Sequence, residues 1–117
     1  IADQLQEYRK ENVGLSEGTL KIYAKKNGDV YTSARLNGKY AYKYGRIEIS
    51  AKLPGEEKNG LWAKLALLGE DINTVGWPDA GEIDMMEYFS YKPNKTFLNV
   101  HTGYNNATNV TLIRTPN

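Results

Sequence analysis

Apolar and polar residues alternate along several short stretches of the chain, as they do in β-strands with one buried and one exposed face. In residues 46–52, for example, Ile47, Ile49 and Ala51 fall on one face, which we predict to be buried. The strands predicted from alternation cover residues 19–26, 30–36, 39–44, 46–52, 96–102 and 110–114. Residues 1–12 are charged and irregular, and we predict a turn or loop there.

Turn signals separate these stretches. Asn27-Gly28 is the strongest short hairpin signal, and Asn37-Gly38 marks another turn. Strands separated by turns about every eight to twelve residues predict an all-β fold, an antiparallel β-sandwich. Residues 61–69 are less clear, because Lys64 interrupts an otherwise apolar run and periodicity does not separate helix from strand.

Three carboxylates are interleaved with large apolar residues between residues 82 and 89. In a regular strand Glu82 and Asp84 share one face, whereas Glu87, an odd number of positions further on, points to the other. One extra residue at Met85-Met86 would form a β-bulge and reset the alternation. The spacing therefore predicts three acids on one surface, provided that the strand contains this bulge.

Acids held this close together suit a particular chemistry. Like charges raise the proton affinity of at least one of them, so one carboxyl can stay protonated near neutral pH while another stays ionised. Two carboxyl groups about 5–5.5 Å apart form the retaining glycosidase arrangement, in which one attacks the anomeric carbon and the other protonates the leaving oxygen. On spacing alone, an ordinary half-exposed strand or the solvated face of a short helix is the more frequent explanation.

Composition excludes several classes of protein. The 117 residues are enough for one domain, which we predict to cover residues 1–117. The 15 basic and 14 acidic residues nearly cancel and form no basic cluster, which argues against a nucleic-acid partner and suits a neutral polymer. No apolar run approaches membrane length, and no cysteine is available for a disulfide or a zinc site. Residues 1–4 lack the features of a signal peptide, so a soluble, mature or trimmed form is expected.

Residues 76–87, G-W-P-D-A-G-E-I-D-M-M-E, resemble the signature of glycoside hydrolase family 16 in the bulged E-x-D-x-x-E form typical of laminarinases. Residues 44–54 are similar to the family's Y-G-R-x-E-x-x-x-K-L-P run. Residues 60–69 resemble its G-x-W-P-A-x-W-L-L-G run, with three departures. Ala63 replaces the proline, Lys64 the alanine and Ala66 the second tryptophan.

The resemblance implies a jelly-roll β-sandwich of the concanavalin-like type, with residues 61–69 as a strand. It implies a secreted, endo-acting retaining β-glucan hydrolase that cuts a polysaccharide, most like a β-1,3-glucanase (laminarinase). Glu82 would be the nucleophile, Glu87 the general acid and then base, and Asp84 the helper that holds Glu82 and tunes its charge. No cofactor is required. A structural calcium occurs among relatives but has no assigned ligands here, and no residues form a convincing catalytic metal site.

Two tryptophans are candidates for substrate binding. Trp77 precedes Pro78 in the loop that enters the acidic strand, where its ring is placed to stack on a sugar face; the alternative is a half-buried core ring. Trp62 matches a family position near the cleft, and core packing is nearly as good an explanation.

One histidine and two arginines complete the candidates for substrate binding. Alternation places His101 on the same strand face as Phe97 and Asn99, where it is positioned to reach the sugar or is a purely structural histidine. Arg46 and Arg35 match basic positions that approach the substrate in relatives, and for each a surface ion pair is the alternative.

Several alternatives stay open. Agarases, porphyranases and some mixed-linkage glucanases share the bulged motif, and a transglycosylase would use the same carboxylates with a sugar hydroxyl in place of water. A non-catalytic carbohydrate-binding module or an inactive, truncated sandwich is the alternative from another class, supported by the short chain and by Ala66. Because family domains continue beyond the histidine strand, we expect a fragment, a piece of a processed protein, or a homo-oligomer completed through open sheet edges.

Overall fold

The computed structural model describes residues 4–55 and 60–104, together with the backbone of residues 111–114. Within these residues the chain is all-β apart from a 3-10 helix at Lys10–Asn12 and a single α-helical turn, α1, at Ile72–Val75. The strands are β1 Gln6–Tyr8, β2 Val13–Ser16, β3 Thr19–Ile22, β4 Lys25–Asn27, β5 Val30–Ser33, β6 Trp62–Leu68, β7 Glu82–Phe89, β8 Lys95–His101 and β9 Thr111–Arg114. No helix in the described part is long and apolar enough to cross a membrane.

The first compact unit, Ile1–Tyr42, contains two small sheets, one with the order β1-β5-β4 and one formed by β2 and β3. The predicted Asn27-Gly28 hairpin is confirmed, since Asn27 pairs with Val30 across β4 and β5 and Gly28 has a φ of 60°. The predicted loop over residues 1–12 is wrong for β1, which pairs in parallel with β5. A strand of three residues is too short to show alternation in the sequence.

The predicted strand over residues 19–26 is interrupted at Tyr23, because the buried side chain of Asn12 hydrogen-bonds to the backbone there. Asn12 Nδ2 donates to the Tyr23 carbonyl at 2.7 Å, and the Tyr23 amide donates to the Asn12 carbonyl at 2.8 Å. These bonds replace ladder bonds at that point. As a result, β3 pairs with β2, whereas β4 pairs with β5 in a different sheet.

The second compact unit, Lys43–Asn117, is built on an antiparallel sheet with the order β6-β7-β8-β9. The strands predicted at residues 61–69, 82–89 and 96–102 are confirmed, and the strand predicted at residues 110–114 is confirmed over Thr111–Arg114. Tyr88, which is 2% exposed, fixes the outer part of β7 because its hydroxyl donates to the Pro54 carbonyl at 2.8 Å. The Leu61 amide donates to the buried Ser90 hydroxyl at 3.0 Å and fixes the start of β6.

The strands predicted at residues 39–44 and 46–52 are wrong, since no ladder partner for them exists among the described residues. Alternation reports which side chains share a face, but a strand also needs a neighbour to bond with. The predicted burial of this face is also wrong, because Ile47 is 46% and Ile49 52% exposed and Ala51 is exposed as well. These side chains line an apolar pocket with Leu65 and Met86.

Candidate active site

Strand β7 contains the predicted bulge. On one side Asp84 pairs with Asn99 of β8 and Glu87 pairs with Phe97, so three steps along β7 oppose two along β8. On the other side, β6 pairs with Asp84 and Met86 at consecutive residues, which leaves Met85 as the extra residue. The bulge therefore resets the alternation and returns Glu87 to the face of Glu82 and Asp84.

One ammonium group meets all three acids on this face. Lys64 Nζ lies 2.5 Å from Glu82 Oε1, 2.8 Å from Asp84 Oδ1 and 3.7 Å from Glu87 Oε1. Lys64 reaches them because β6 runs beside β7 with Lys64 opposite Glu87. The predicted convergence of the three carboxylates is thus confirmed, around a lysine that had no assigned role in the sequence.

Strand β8 supplies two polar side chains from the other side of the acids. Register places Asn99 opposite Asp84 and His101 opposite Glu82. Asn99 Nδ2 donates to Glu87 Oε2 at 2.5 Å and to Asp84 Oδ2 at 3.3 Å, and His101 Nε2 lies 3.2 Å from the same Asp84 oxygen. Asp84, only 1% exposed, is therefore enclosed by polar partners from both neighbouring strands.

The loop between β6 and β7 brings Trp77 to the site. A close backbone approach holds the ends of this loop, where the Gly69 amide donates to the Gly81 carbonyl at 3.1 Å. Any Cβ at Gly69 would collide with the Ala80 carbonyl, so only glycine fits there. Trp77 Nε1 donates to Glu82 Oε2 at 2.7 Å, and its ring lies 5.6 Å from the His101 ring. The indole is 55% exposed, which leaves one surface open beside Glu82.

The charges at the site stabilise one another. Burial raises the pKa of Asp84, but hydrogen bonds with Lys64 and Glu82, the lysine's charge and the hydrogen bond from Asn99 outweigh burial, and the pKa lies below its usual range. Burial lowers the pKa of Lys64, yet its hydrogen bonds to Asp84 and Glu82 outweigh that effect and raise it. Both groups are therefore charged at neutral pH.

The same atoms bear on the question of a metal ion. One ligand atom each from Glu82, Asp84 and His101 lies within 4.8 Å of the others, close enough to share a cation. Lys64 already places its ammonium against both carboxylates. We therefore assign the positive charge of this site to Lys64 and treat none of these residues as a metal ligand.

The other residues predicted to bind substrate differ in their surroundings. Trp62 lies on the same sheet face as the acids, where it stacks on Phe89 with ring centroids 6.1 Å apart. Arg46 forms an exposed ion pair with Glu48 at 2.6 Å. Arg35 is an exposed residue of the first unit. A part in substrate binding stays a prediction for all three.

Sequence reasoning assigned no function to Lys64 or Asn99. The signal for Lys64 was a single charge in an apolar strand, which needs a partner of opposite charge once the strand is buried. For Asn99 the signal was its alternation with His101 on a strand next to the acids in the chain. Neither signal says which strands are neighbours in the sheet, and that adjacency is what brings the two side chains to the acids.

The profile described as "Glycosyl hydrolases family 16" matches residues 2–115. The chain belongs to glycoside hydrolase family 16. The predicted family is therefore confirmed, and the match spans both compact units.

Members of the family resemble the chain in sequence and in structure. A beta-glucanase of Rhodothermus marinus is 42% identical over 110 residues, which cover 85% of this chain and 37% of that protein. A beta-1,3-glucan-binding protein of Penaeus monodon is 40% identical over 58 residues, 48% of this chain and 15% of that protein. The laminarinase of Flavobacterium sp. UMI-01 superposes with a TM-score of 0.82 at 40% identity, covering 94% of this chain and 49% of that one.

The structural likeness confirms the predicted fold class, an all-β sandwich of the jelly-roll type. The chain spans less than half the length of each of these relatives.

Proposed function

We propose that this chain carries the catalytic centre of an endo-acting, retaining β-glucan hydrolase that cuts β-1,3 links. The observation that carries the proposal is the bulged strand β7, which gathers Glu82, Asp84 and Glu87 on one face with different partners for each. The family membership and the names of its laminarinase and beta-glucanase relatives support the substrate class.

In the proposed reaction each carboxylate has its own task. Glu82 attacks the anomeric carbon and forms a covalent glycosyl-enzyme, while Glu87 gives its proton to the departing glycosidic oxygen. Glu87 then takes a proton from water, and that water releases the sugar with retained configuration. Asp84 stays ionised between them. It shares Asn99 with Glu87 and Lys64 with Glu82, and so couples the two reacting groups.

Trp77 is the proposed sugar-stacking residue. Its indole nitrogen is bonded to Glu82, which fixes the ring next to the nucleophile, and more than half of the side chain is exposed. An aromatic face in this position suits the apolar face of a glucose unit. His101, whose ring lies against Trp77, supports the same wall.

The test is reducing-end release from laminarin, lichenan and agarose by the wild type and by Glu82→Gln and Glu87→Gln. We expect hydrolysis of laminarin, and a fall in kcat of about a hundredfold or more in either variant. Glu17→Gln is the matched control, because Glu17 is exposed and paired with Lys21. Laminarin hydrolysis that survives both site substitutions would contradict the assigned roles.

A second candidate, a non-catalytic glucan-binding protein, is favoured by one feature of the site. Both oxygens of Glu82 are engaged, one by Lys64 and one by Trp77, so the proposed nucleophile is already paired within the protein. The similarity to a beta-1,3-glucan-binding protein points the same way. Retention on immobilised laminarin without any release of reducing ends, in the wild type and both glutamine variants alike, would favour this candidate.

The location and assembly of the protein are proposed as well. A polysaccharide substrate suits secretion, which fractionation of the producing cells would test. In the described part of the sheet β6 is an edge strand, and an open edge favours pairing with another copy. Light scattering of the purified protein should then show a mass above that of one chain.

A further inference from the structure

Lys64 is a departure from the family pattern that sits among the catalytic candidates. The run that this segment resembles has an alanine at this position, and an alanine cannot reach across to a neighbouring strand. In this chain the side chain is 23% exposed and its nitrogen is 2.5 Å from Glu82 and 2.8 Å from Asp84. The ammonium is thus an added part of the site rather than a surface charge.

The contacts of Lys64 are unequal. Its distances to Glu82 and Asp84 are within hydrogen-bond range, whereas Glu87 Oε1 at 3.7 Å lies beyond it. Glu87 is bonded instead through its other oxygen, Oε2, to Asn99. The lysine therefore contacts Glu82 and Asp84 more closely than Glu87, with which it forms a longer ion pair.

The groups that face the acids come from three directions. Strand β6 contributes Lys64, the loop after α1 contributes Trp77, and β8 contributes Asn99 and His101. Of these, Lys64 and His101 can carry positive charge, and they meet different oxygens of Asp84, Oδ1 and Oδ2. His101 reaches Asp84 alone in these contacts, whereas Lys64 joins Asp84 to Glu82.

We propose that Lys64 is a positioning residue whose single ammonium holds the side chains of Glu82 and Asp84 together beside Glu87. The inference rests on the proposed function, because it gives Lys64 a role relative to the proposed nucleophile, Glu82, and to Asp84 beside it. The ammonium adds a contact between Glu82 and Asp84 that an alanine at this position would not provide. The sheet explains these unequal contacts. Lys64 lies opposite Glu87 in the pairing of β6 with β7, but its ammonium lies nearer to Glu82 and Asp84.

The lowered pKa of Asp84 and the raised pKa of Lys64 agree with this geometry. Removal of the ammonium leaves Asp84, which is 1% exposed, with Asn99 and His101 as its remaining contacts from β8. An opposite charge at this distance typically shifts a carboxyl by about one to three pH units. The effect of a neutral substitution should therefore be measurable directly on Asp84.

The experiment compares Lys64→Met, which keeps the length without the charge, with Lys64→Arg, which keeps the charge. The carboxyl carbon of Asp84 is titrated by 13C NMR without any substrate, and kcat/KM on laminarin is measured against pH. In Lys64→Met we expect the Asp84 titration to move up by about one pH unit or more, with the acidic limb of kcat/KM moving the same way. Lys64→Arg should keep both the Asp84 titration and the acidic limb of kcat/KM as they are in the wild type. Lys21→Met, at the exposed pair with Glu17, is the matched control.

The outcomes separate the two proposals. A wild type that hydrolyses laminarin while Lys64→Met leaves the Asp84 titration and the pH profile unchanged overturns the inference about Lys64 and leaves the proposed function standing. A wild type that hydrolyses no glucan overturns the proposed function, yet the NMR titration still tests the charge pairing. If Lys64→Met does not fold, the Asp84 titration of the wild type tests the inference. An Asp84 carboxyl that titrates at or above the ordinary aspartate value contradicts the inference.

Discussion

Asn99→Ala removes an amide that donates to both Asp84 and Glu87, and its cost follows from the two contacts. The bond to Glu87 is short and involves a side chain only 13% exposed, so its loss should cost about 1.5–3 kcal/mol, as for other hydrogen bonds to charged groups. The bond to Asp84 is 3.3 Å long and should add about 0.5–1 kcal/mol. The expected loss is about 2–4 kcal/mol of unfolding free energy.

Urea unfolding at neutral pH measures this loss. With a denaturant slope of about 2 kcal/mol per molar, the midpoint should fall by about 1–2 M. Asn73→Ala is the control, because Asn73 is exposed in α1 and lies outside the site. The loss should shrink at acidic pH, where protonated carboxyl groups need the amide less. An Asn99→Ala midpoint equal to that of the control would refute the reasoning that this amide stabilises the buried acids.

Three further predictions concern the same strand and its loop. Trp77→Phe keeps a ring but removes the donor to Glu82 Oε2, so kcat on laminarin should fall about tenfold with little change in KM; an unchanged kcat would mean that the bond does not orient Glu82. Deletion of Met85 removes the extra residue and leaves Glu82, Asp84 and Glu87 at alternate positions of a regular strand, so they should stay on one face and kcat/KM should fall by no more than about tenfold; a fall of about a hundredfold or more would mean that the bulge itself, and not the shared face, positions Glu87. The folded pKa of Asp84 lies below its unfolded value of 3.8, so its stabilising contribution is present above that pH and is lost as pH falls through the folded value. The Tm should therefore drop on acidification below about pH 4, and less steeply in Asp84→Asn; equal slopes would contradict the assignment.

Much of the site could be predicted because it lies on one strand. The odd spacing of Glu87 from Glu82 required a bulge, and the adjacent Met85-Met86 pair was the place where the extra residue could be absorbed. Alternation along β8 also placed Asn99 and His101 on a common face. These are properties of neighbouring residues in the chain, which periodicity reports well.

The remaining features depend on pairings between distant residues. Lys64 joins the site because β6 lies beside β7, and β1 is a strand because it pairs with β5 in parallel. Conversely, residues 46–52 have a strand's alternation but no ladder partner among the described residues. A local pattern gives the faces of a segment, whereas its partner is set by the packing of the whole sheet.

The central claim is that Glu82 forms a covalent bond to the sugar. The most direct measurement is intact mass and peptide mapping after incubation with a 2-deoxy-2-fluoro laminaribiosyl substrate that carries a good leaving group, since the fluorine slows hydrolysis of the glycosyl-enzyme. The account predicts one added fluoro-sugar per active chain, attached to Glu82 and absent in Glu82→Gln. A label on Glu87 or Asp84, or laminarin hydrolysis with inverted anomeric configuration and no label, would contradict it.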